Sequence, residues 1–221
     1  MRNRIHRDIL NSDIFESLSG MQLREYQREI LNDDSRAILM TCGRRIGQTT
    51  IHVARALTCA LGSRSQSILY MTPTIEQSKL AYRMARDIFE SCDRRVANAF
   101  NHTRLEFING SHIQFVDANH RFRSIMCGYS PNLVLIDNAC YIEDTFVECA
   151  LAIMAESPDN KIMISSTLTS GNTAFHRARE DDIFTGYHLP STLSPHWNED
   201  TETMLRNLYG DIYSREIEAV M

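Results

Sequence analysis

The sequence predicts an α/β protein in which a mainly parallel sheet is flanked by helices and carries one inserted β-hairpin. Three observations lead to that expectation. Apolar runs of strand length recur at residues 37–40, 67–71, 132–137 and 161–167, and stretches of helical period separate the earlier ones. The first run, Ala37-Ile-Leu-Met40, passes through a loop with two glycines into a helical pattern from Ile51 to Leu61. Asn109-Gly110-Ser111 joins two alternating segments, 104–108 and 112–116, with the turn chemistry of a hairpin.

Taken in order, residues 1–19 are polar with Ile9, Leu10, Ile14, Phe15 and Leu18 scattered through them, which fits a short amphipathic helix. Leu23, Tyr26, Gln27, Ile30 and Leu31 then recur at helical spacing. That helix sets Gln27 beside the core-facing stripe, where its amide could read an adenine edge or simply face solvent. After the strand at 67–71, Thr72-Pro73-Thr74 ends the extended run, and residues 75–91 return to a helical period through Leu80, Met84, Ile88 and Phe89. Residues 132–137 end an apolar strand on Asp137, followed by Asn138; functional groups of open α/β sheets collect at such carboxyl ends. The run at 161–167 likewise delivers Ser165, Ser166 and Thr167 into a loop. From Thr185 the pattern loosens, and a helical period resumes over 200–220, interrupted by Gly210. The expected organisation is a core at 1–190 and a C-terminal helical subdomain or linker at 191–221.

A chain of 221 residues, 43% hydrophobic and 23% charged, suits an ordinary globular domain with one well-buried core. No apolar run approaches the roughly 20 residues of a membrane span, and Met1–Arg7 leads into no apolar leader core, so an intracellular protein is expected. Six cysteines without a CxxC pair and eight histidines without HExxH spacing predict reduced thiols and no metal cluster. The net charge of −5 is uneven: residues 1–131 hold 18 Lys/Arg against 13 Asp/Glu, and residues 132–221 hold 5 against 15. The basic part suits either a polyanion or an ordinary solvated surface. Only Lys79 and Lys161 are lysines, so any cation near the first loop would be an arginine.

That loop, Thr41-Cys-Gly-Arg-Arg-Ile-Gly-Gln-Thr-Thr50, organises the reading. A strand running through glycines into a helix gathers backbone N–H groups and the positive end of a helix dipole, which is how chains hold phosphate. The phosphate-loop pattern GxxxxGK[ST] expects lysine where Gln48 stands and glycine where Cys42 stands. Gly43, Arg44, Arg45, Gly47, Gln48, Thr49 and Thr50 are the candidate nucleotide contacts, and Thr49 with Asp137 would hold Mg²⁺. Asn138 takes the place of the acidic group that orients water. Gln48 forgoes a charge-assisted bond of about 1.5–3 kcal/mol, and loss of a positioned base removes about 10²–10⁴ in rate. Nucleotide binding is therefore expected, with weak or absent hydrolysis. Arg44 or Arg45 could supply the missing charge, and Glu143 or Asp144 could approach the water.

The ordered set resembles the N-terminal ATPase domain of viral large terminases of the phage and herpesvirus type: the 23–31 helix with Gln27, the Arg-Arg-x-Gly-x-Thr loop, Thr72-Pro-Thr74 with Gln77, Asn109-Gly-Ser111, the strand ending at Asp137, and Ser165-Ser-Thr167. The likeness spans roughly residues 21–218. It implies a P-loop NTPase fold of the ASCE type, with ATP and Mg²⁺ as cofactors, and a motor that packages double-stranded DNA into procapsids at the portal with a small terminase subunit. The assembled motor would be a ring, working in the host cell, in the cytoplasm for a phage or the nucleus for a herpesvirus-like source. By resemblance Gln27 belongs to adenine recognition, Arg44 to γ-phosphate sensing, Thr167 to coupling of hydrolysis with movement, and Arg121 and Arg123 to an arginine finger acting on a neighbouring subunit. Walker A has Gln48 for its lysine and Walker B has Asn138 for its glutamate. Tyr213-Ser-Arg-Glu216 resembles the end of the ATPase region, so the family's nuclease domain is expected to be absent. Two other readings stay open: a non-hydrolysing nucleotide-binding or structural module of the same fold, and a helicase-like translocase.

Overall fold

The computed structural model describes residues 11–91, 97–101, 103–118 and 129–221, with 97–101 described by backbone alone. In chain order the elements are α1 (Asn11–Ser19), α2 (Glu25–Asn32), β1 (Ala37–Cys42), α3 (Gln48–Gly62), β2 (Ser67–Thr72), α4 (Ile75–Glu90), β3 (Ala97–Asn101), β4 (Arg104–Phe107), β5 (His112–Asp117), β6 (Leu133–Asp137), α5 (Asp144–Ala152), β7 (Lys161–Ser166), α6 (Ala174–Arg179), β8 (Thr185–Leu189) and α7 (Glu199–Tyr209). A π-helical turn, Ser214–Glu218, follows.

Among the described residues, eight strands form one sheet in the order β3-β4-β5-β2-β6-β7-β1-β8. The pairs β5–β2, β2–β6, β6–β7, β7–β1 and β1–β8 are all parallel, and only β3–β4 and β4–β5 are antiparallel. The expected parallel sheet is present. The hairpin is more than an insertion: β5 extends the parallel sheet on β2, and β3 adds a strand beyond β4. Its turn has the predicted chemistry, since Gly110 adopts φ 83° and the Asn109 carboxamide oxygen accepts from the Ser111 N–H at 3.0 Å. The Asn109 amide also donates to the carbonyls of Ala60 and Ser63, fastening the turn to the end of α3.

Every residue of β1 and β6 is buried, as strands covered on both faces must be. One face packs Phe15, Ile30, Val53, Leu57, Tyr82 and Phe89 from α1 to α4 against the sheet. The other packs Phe146, Val147 and Phe175 from α5 and α6 against Leu39, Val134 and Ile164. Local signals set the helix starts: the Thr74 hydroxyl accepts from the Gln77 N–H at 3.3 Å at the head of α4, and the Asn198 side chain accepts from the Thr201 N–H at 2.8 Å at the head of α7.

The C-terminal period does not form one helix. Gly210, at φ 50°, ends α7, and the chain turns back so that Tyr213, Glu216 and Ile217 are buried while α7 itself buries no residue. Among the described residues, no helix is long and apolar enough to cross a membrane, and no His/Cys/Asp/Glu group has the arrangement of a metal cluster. Cys42, Cys59, Cys140 and Cys149 are free thiols. Arg121, Arg123, Cys92 and Cys127 lie outside the described residues.

Candidate phosphate-binding site

The loop between β1 and α3 opens onto a cleft of about 370 Å³ lined by Gly43, Arg44, Arg45, Gly47, Gln48, Thr49, Asn138 and Thr167, with Leu80 and Met84 of α4 forming an apolar wall. Parallel strands bring these groups together because β1, β6 and β7 end at the same edge of the sheet. Leu80, part of the helical period over 75–91, is 52% exposed at this wall. A larger hollow of about 710 Å³ includes Arg55 and Lys161. Arg55 there is occupied with the carbonyls of Leu31 and Asp33 at 3.0 and 2.9 Å.

The first half of the loop is tied to the end of the chain. The Gly43 N–H donates to the Leu189 carbonyl at 2.7 Å and the Arg44 N–H to the Glu216 carbonyl at 2.9 Å. The Arg44 guanidinium reaches the Glu216 carboxylate at 2.5 Å. A Cβ at position 43 would press into the Ile217 carbonyl oxygen and the Ser191 amide, so this close approach requires glycine. With the amides of 43 and 44 engaged, the other loop residues that line the cleft are Arg45, Gly47, Gln48 and Thr49, where the first turn of α3 leaves N–H donors without intrahelical partners. Arg45 sits at φ 65° and Gly47 at φ 83°, left-handed backbone that the glycine adopts freely and the arginine does not.

The second half is held by α2. The Ile46 carbonyl accepts from the Tyr26 hydroxyl at 2.5 Å and the Gln27 amide at 3.4 Å, while the Gln27 carbonyl accepts from the Arg24 N–H at 3.0 Å. Gln27 is therefore 6% exposed behind the loop, with both ends of its amide bonded to backbone.

Asp137, 2% exposed, is the anchor of the site. Its Oδ2 accepts from the Thr49 hydroxyl at 2.7 Å and from the Tyr70 hydroxyl at 3.0 Å, and its Oδ1 accepts from the Gln48 amide. The same Gln48 nitrogen donates to the Asn138 side-chain oxygen at 3.2 Å. Paired hydroxyl and carboxylate oxygens beside a phosphate cradle are hard donors of the kind Mg²⁺ takes, so Thr49 and Asp137 fit that ion. Asn138 has φ 65° and ψ 48°, a conformation asparagine tolerates better than glutamate.

Two buried groups had no signal in the sequence. Tyr70 lay inside an apolar run, and its bond to Asp137 depends on β2 and β6 being neighbours. His52, on α3, is fully buried with Nε2 2.7 Å from the Ser165 hydroxyl, and its ring meets Tyr70 edge-on at 5.8 Å. Burial drives its pKa down from 6.5 to about 4, against the opposing attraction of Asp137. Its Nδ1 has no partner.

Thr167 lines the cleft with its hydroxyl 3.2 Å from that of Tyr141, and the Cys140 N–H donates to Ser166 at 3.1 Å, joining the turn after Asp137 to the end of β7. Asp144 accepts from the Ala174 N–H at 2.8 Å and from Arg177 at 3.1 Å, which joins α5 to α6, and Glu143 accepts from Thr145 at the start of α5; neither carboxylate lines the cleft.

A glycine-containing loop entering a helix, faced by a strand-end carboxylate two strands away with β7 between, is a fold of the P-loop type. The chain matches no protein-family model and no curated protein. Among solved structures it is similar to the Thermus phage P74-26 large terminase ATPase domain, with TM-score 0.79 and 17% identity over 96% of this chain and 98% of that one. It is also similar to the HK97 bacteriophage large terminase, with TM-score 0.75 and 12% identity over 90% of this chain and 50% of that one. The large terminase of a thermophilic bacteriophage, in complex with ATP-gamma-S, superposes with TM-score 0.68 and 14% identity, over 89% of this chain and 52% of that one. At such identities the likeness is one of fold.

Proposed function

We propose that this chain is a nucleotide-binding motor domain of the large-terminase type, holding ATP with Mg²⁺ and serving the packaging of double-stranded DNA into a procapsid of a phage. The observation that carries this reading is one cleft lined by Arg45, Gly47, Gln48 and Thr49 at the head of α3, with the Thr49 hydroxyl bonded to Asp137. The amides and the helix terminus would hold phosphate oxygens, with Arg45 the exposed loop cation beside Arg44, whose guanidinium is held by Glu216. Thr49 and Asp137 would hold the magnesium ion, which neutralises phosphate charge when bound. Leu80 and Met84 offer apolar surface to a base. Portal, small subunit and ring partners belong to this proposal, as does action in trans by Arg121 or Arg123.

Hydrolysis is proposed to be slow or absent. Gln48 and Asn138 bring amides where charge would act, and no carboxylate is among the residues lining the cleft that the structure describes. This favours, as a second reading, a module that binds nucleotide without turning it over. Calorimetric titration with ATP and Mg²⁺, followed by turnover assays with and without DNA, separates the two. Saturable binding with turnover that rises in the Gln48→Lys/Asn138→Glu double variant supports the motor. Binding without turnover in either protein supports the second reading, and no binding sinks both. The Asn138→Glu change must bear about 1–2 kcal/mol of left-handed strain, so its fold is checked alongside.

A further inference from the structure

Gln48 stands where the phosphate-loop pattern places lysine. Its amide nitrogen lies one bond nearer the backbone than a lysine ammonium would, and instead of reaching out it turns across the cleft. There it donates to Asp137 Oδ1 and, at 3.2 Å, to the Asn138 side-chain oxygen. The other oxygen of Asp137 is filled by Thr49 at 2.7 Å and Tyr70 at 3.0 Å. A carboxylate this deeply buried needs partners, and neutral donors provide them on both oxygens.

We propose that Gln48 is a built-in competitor of the divalent cation at Asp137: amide and cation claim the same carboxylate oxygen, so Mg²⁺ is admitted there only as Gln48 swings away. The inference rests on the nucleotide-site reading, since the cation concerned is the one a bound triphosphate would share. Asn138 reinforces the latch, because its oxygen gives the same amide a second acceptor. The consequence runs against the usual effect of deleting a loop side chain. Removing the Gln48 amide strengthens cation binding, because Oδ1 no longer has to lose a hydrogen bond before it coordinates.

The test uses the full chain without nucleotide, with Mn²⁺ as the probe followed by electron paramagnetic resonance. Gln48→Met keeps the length and volume of the side chain and removes its donor. Asp137→Asn identifies the binding component that belongs to this site. The expected result is Mn²⁺ binding about tenfold tighter in Gln48→Met than in the native chain, as loss of a hydrogen bond to a charged group implies. Equal or weaker binding in a folded Gln48→Met overturns the inference.

A second measurement needs no variant. In the native chain, saturating Mg²⁺ should move the Gln48 side-chain amide resonances toward those of a free glutamine; resonances that stay in place overturn it. ADP titration in the presence of a chelator keeps the two proposals apart. No ADP binding either with the chelator or with Mg²⁺ rejects the nucleotide-site reading while the Mn²⁺ comparison still decides this one, and ADP binding with unchanged Mn²⁺ affinity rejects this one alone.

Discussion

Lowering the pH should destabilise this protein through His52. In the folded chain the ring is fully buried, donates to or accepts from Ser165 at 2.7 Å, and leaves Nδ1 without a partner, so its burial holds the pKa at about 4. In the unfolded chain it titrates near the ordinary value of about 6.5. Between those values the unfolded state binds a proton that the folded state refuses. Stability from this group is therefore complete above pH 6.5 and falls as the pH drops toward 4, levelling off below. At about 1.4 kcal/mol per pH unit, native protein moved from about pH 7.5 to about pH 5 should lose about 2 kcal/mol through His52 alone. Other titrating groups add to the total, so the informative quantity is a difference. His52→Gln keeps a donor and acceptor near Ser165 and removes the titration. Urea unfolding of both proteins at the two pH values should show the native chain losing about 2 kcal/mol more than the variant. Parallel pH profiles would refute the reasoning, because they would mean that the ring is either solvated or already charged in the fold.

Three further substitutions follow from the same geometry. Arg45→Gly removes a side chain from left-handed backbone at φ 65°, so thermal unfolding should show a gain of about 1 kcal/mol, while affinity for ADP falls about tenfold with loss of the cation. Gly43→Ala should destabilise the fold by about 1–3 kcal/mol, because its methyl group meets the backbone of Ile217 and Ser191; a native-like melting temperature would contradict the tie between loop and C-terminal turn. Tyr70→Phe leaves the stacking on Phe115 in place but takes a donor from buried Asp137, and should cost about 1.5–3 kcal/mol in denaturant unfolding, with an unchanged midpoint as the contrary result.

What the sequence showed and what it hid divide along a physical line. Strands β1, β2, β6 and β7 were legible because burial on both faces forces continuous apolar runs, and the Asn109-Gly110 turn was legible because only particular residues adopt its backbone. Strand β8 was not, since at the sheet edge only Leu189 is buried and no run marks it. Helix α6, six residues long, is too short for a period to stand out. Gln48 and Asn138 could be named as departures from a pattern, but their mutual bond and the left-handed backbone of Asn138 exist only once β1 and β6 face the same edge. The clamp of Glu216 on Arg44 joins residues 172 apart, a distance no local period encodes. Gln27 was placed on the right helix, and its engagement with Ile46 depends on a loop carbonyl that sequence cannot aim.

Backbone amide spectra recorded while ADP and Mg²⁺ are added to the isotopically labelled chain report most directly on the claim that this loop grips phosphate. The N–H groups of residues 45–50 should shift first and most, with those of 43 and 44 changing less because carbonyls of the C-terminal segment already hold them. Amides of 45–50 that stay fixed while nucleotide saturates the protein elsewhere would contradict the account.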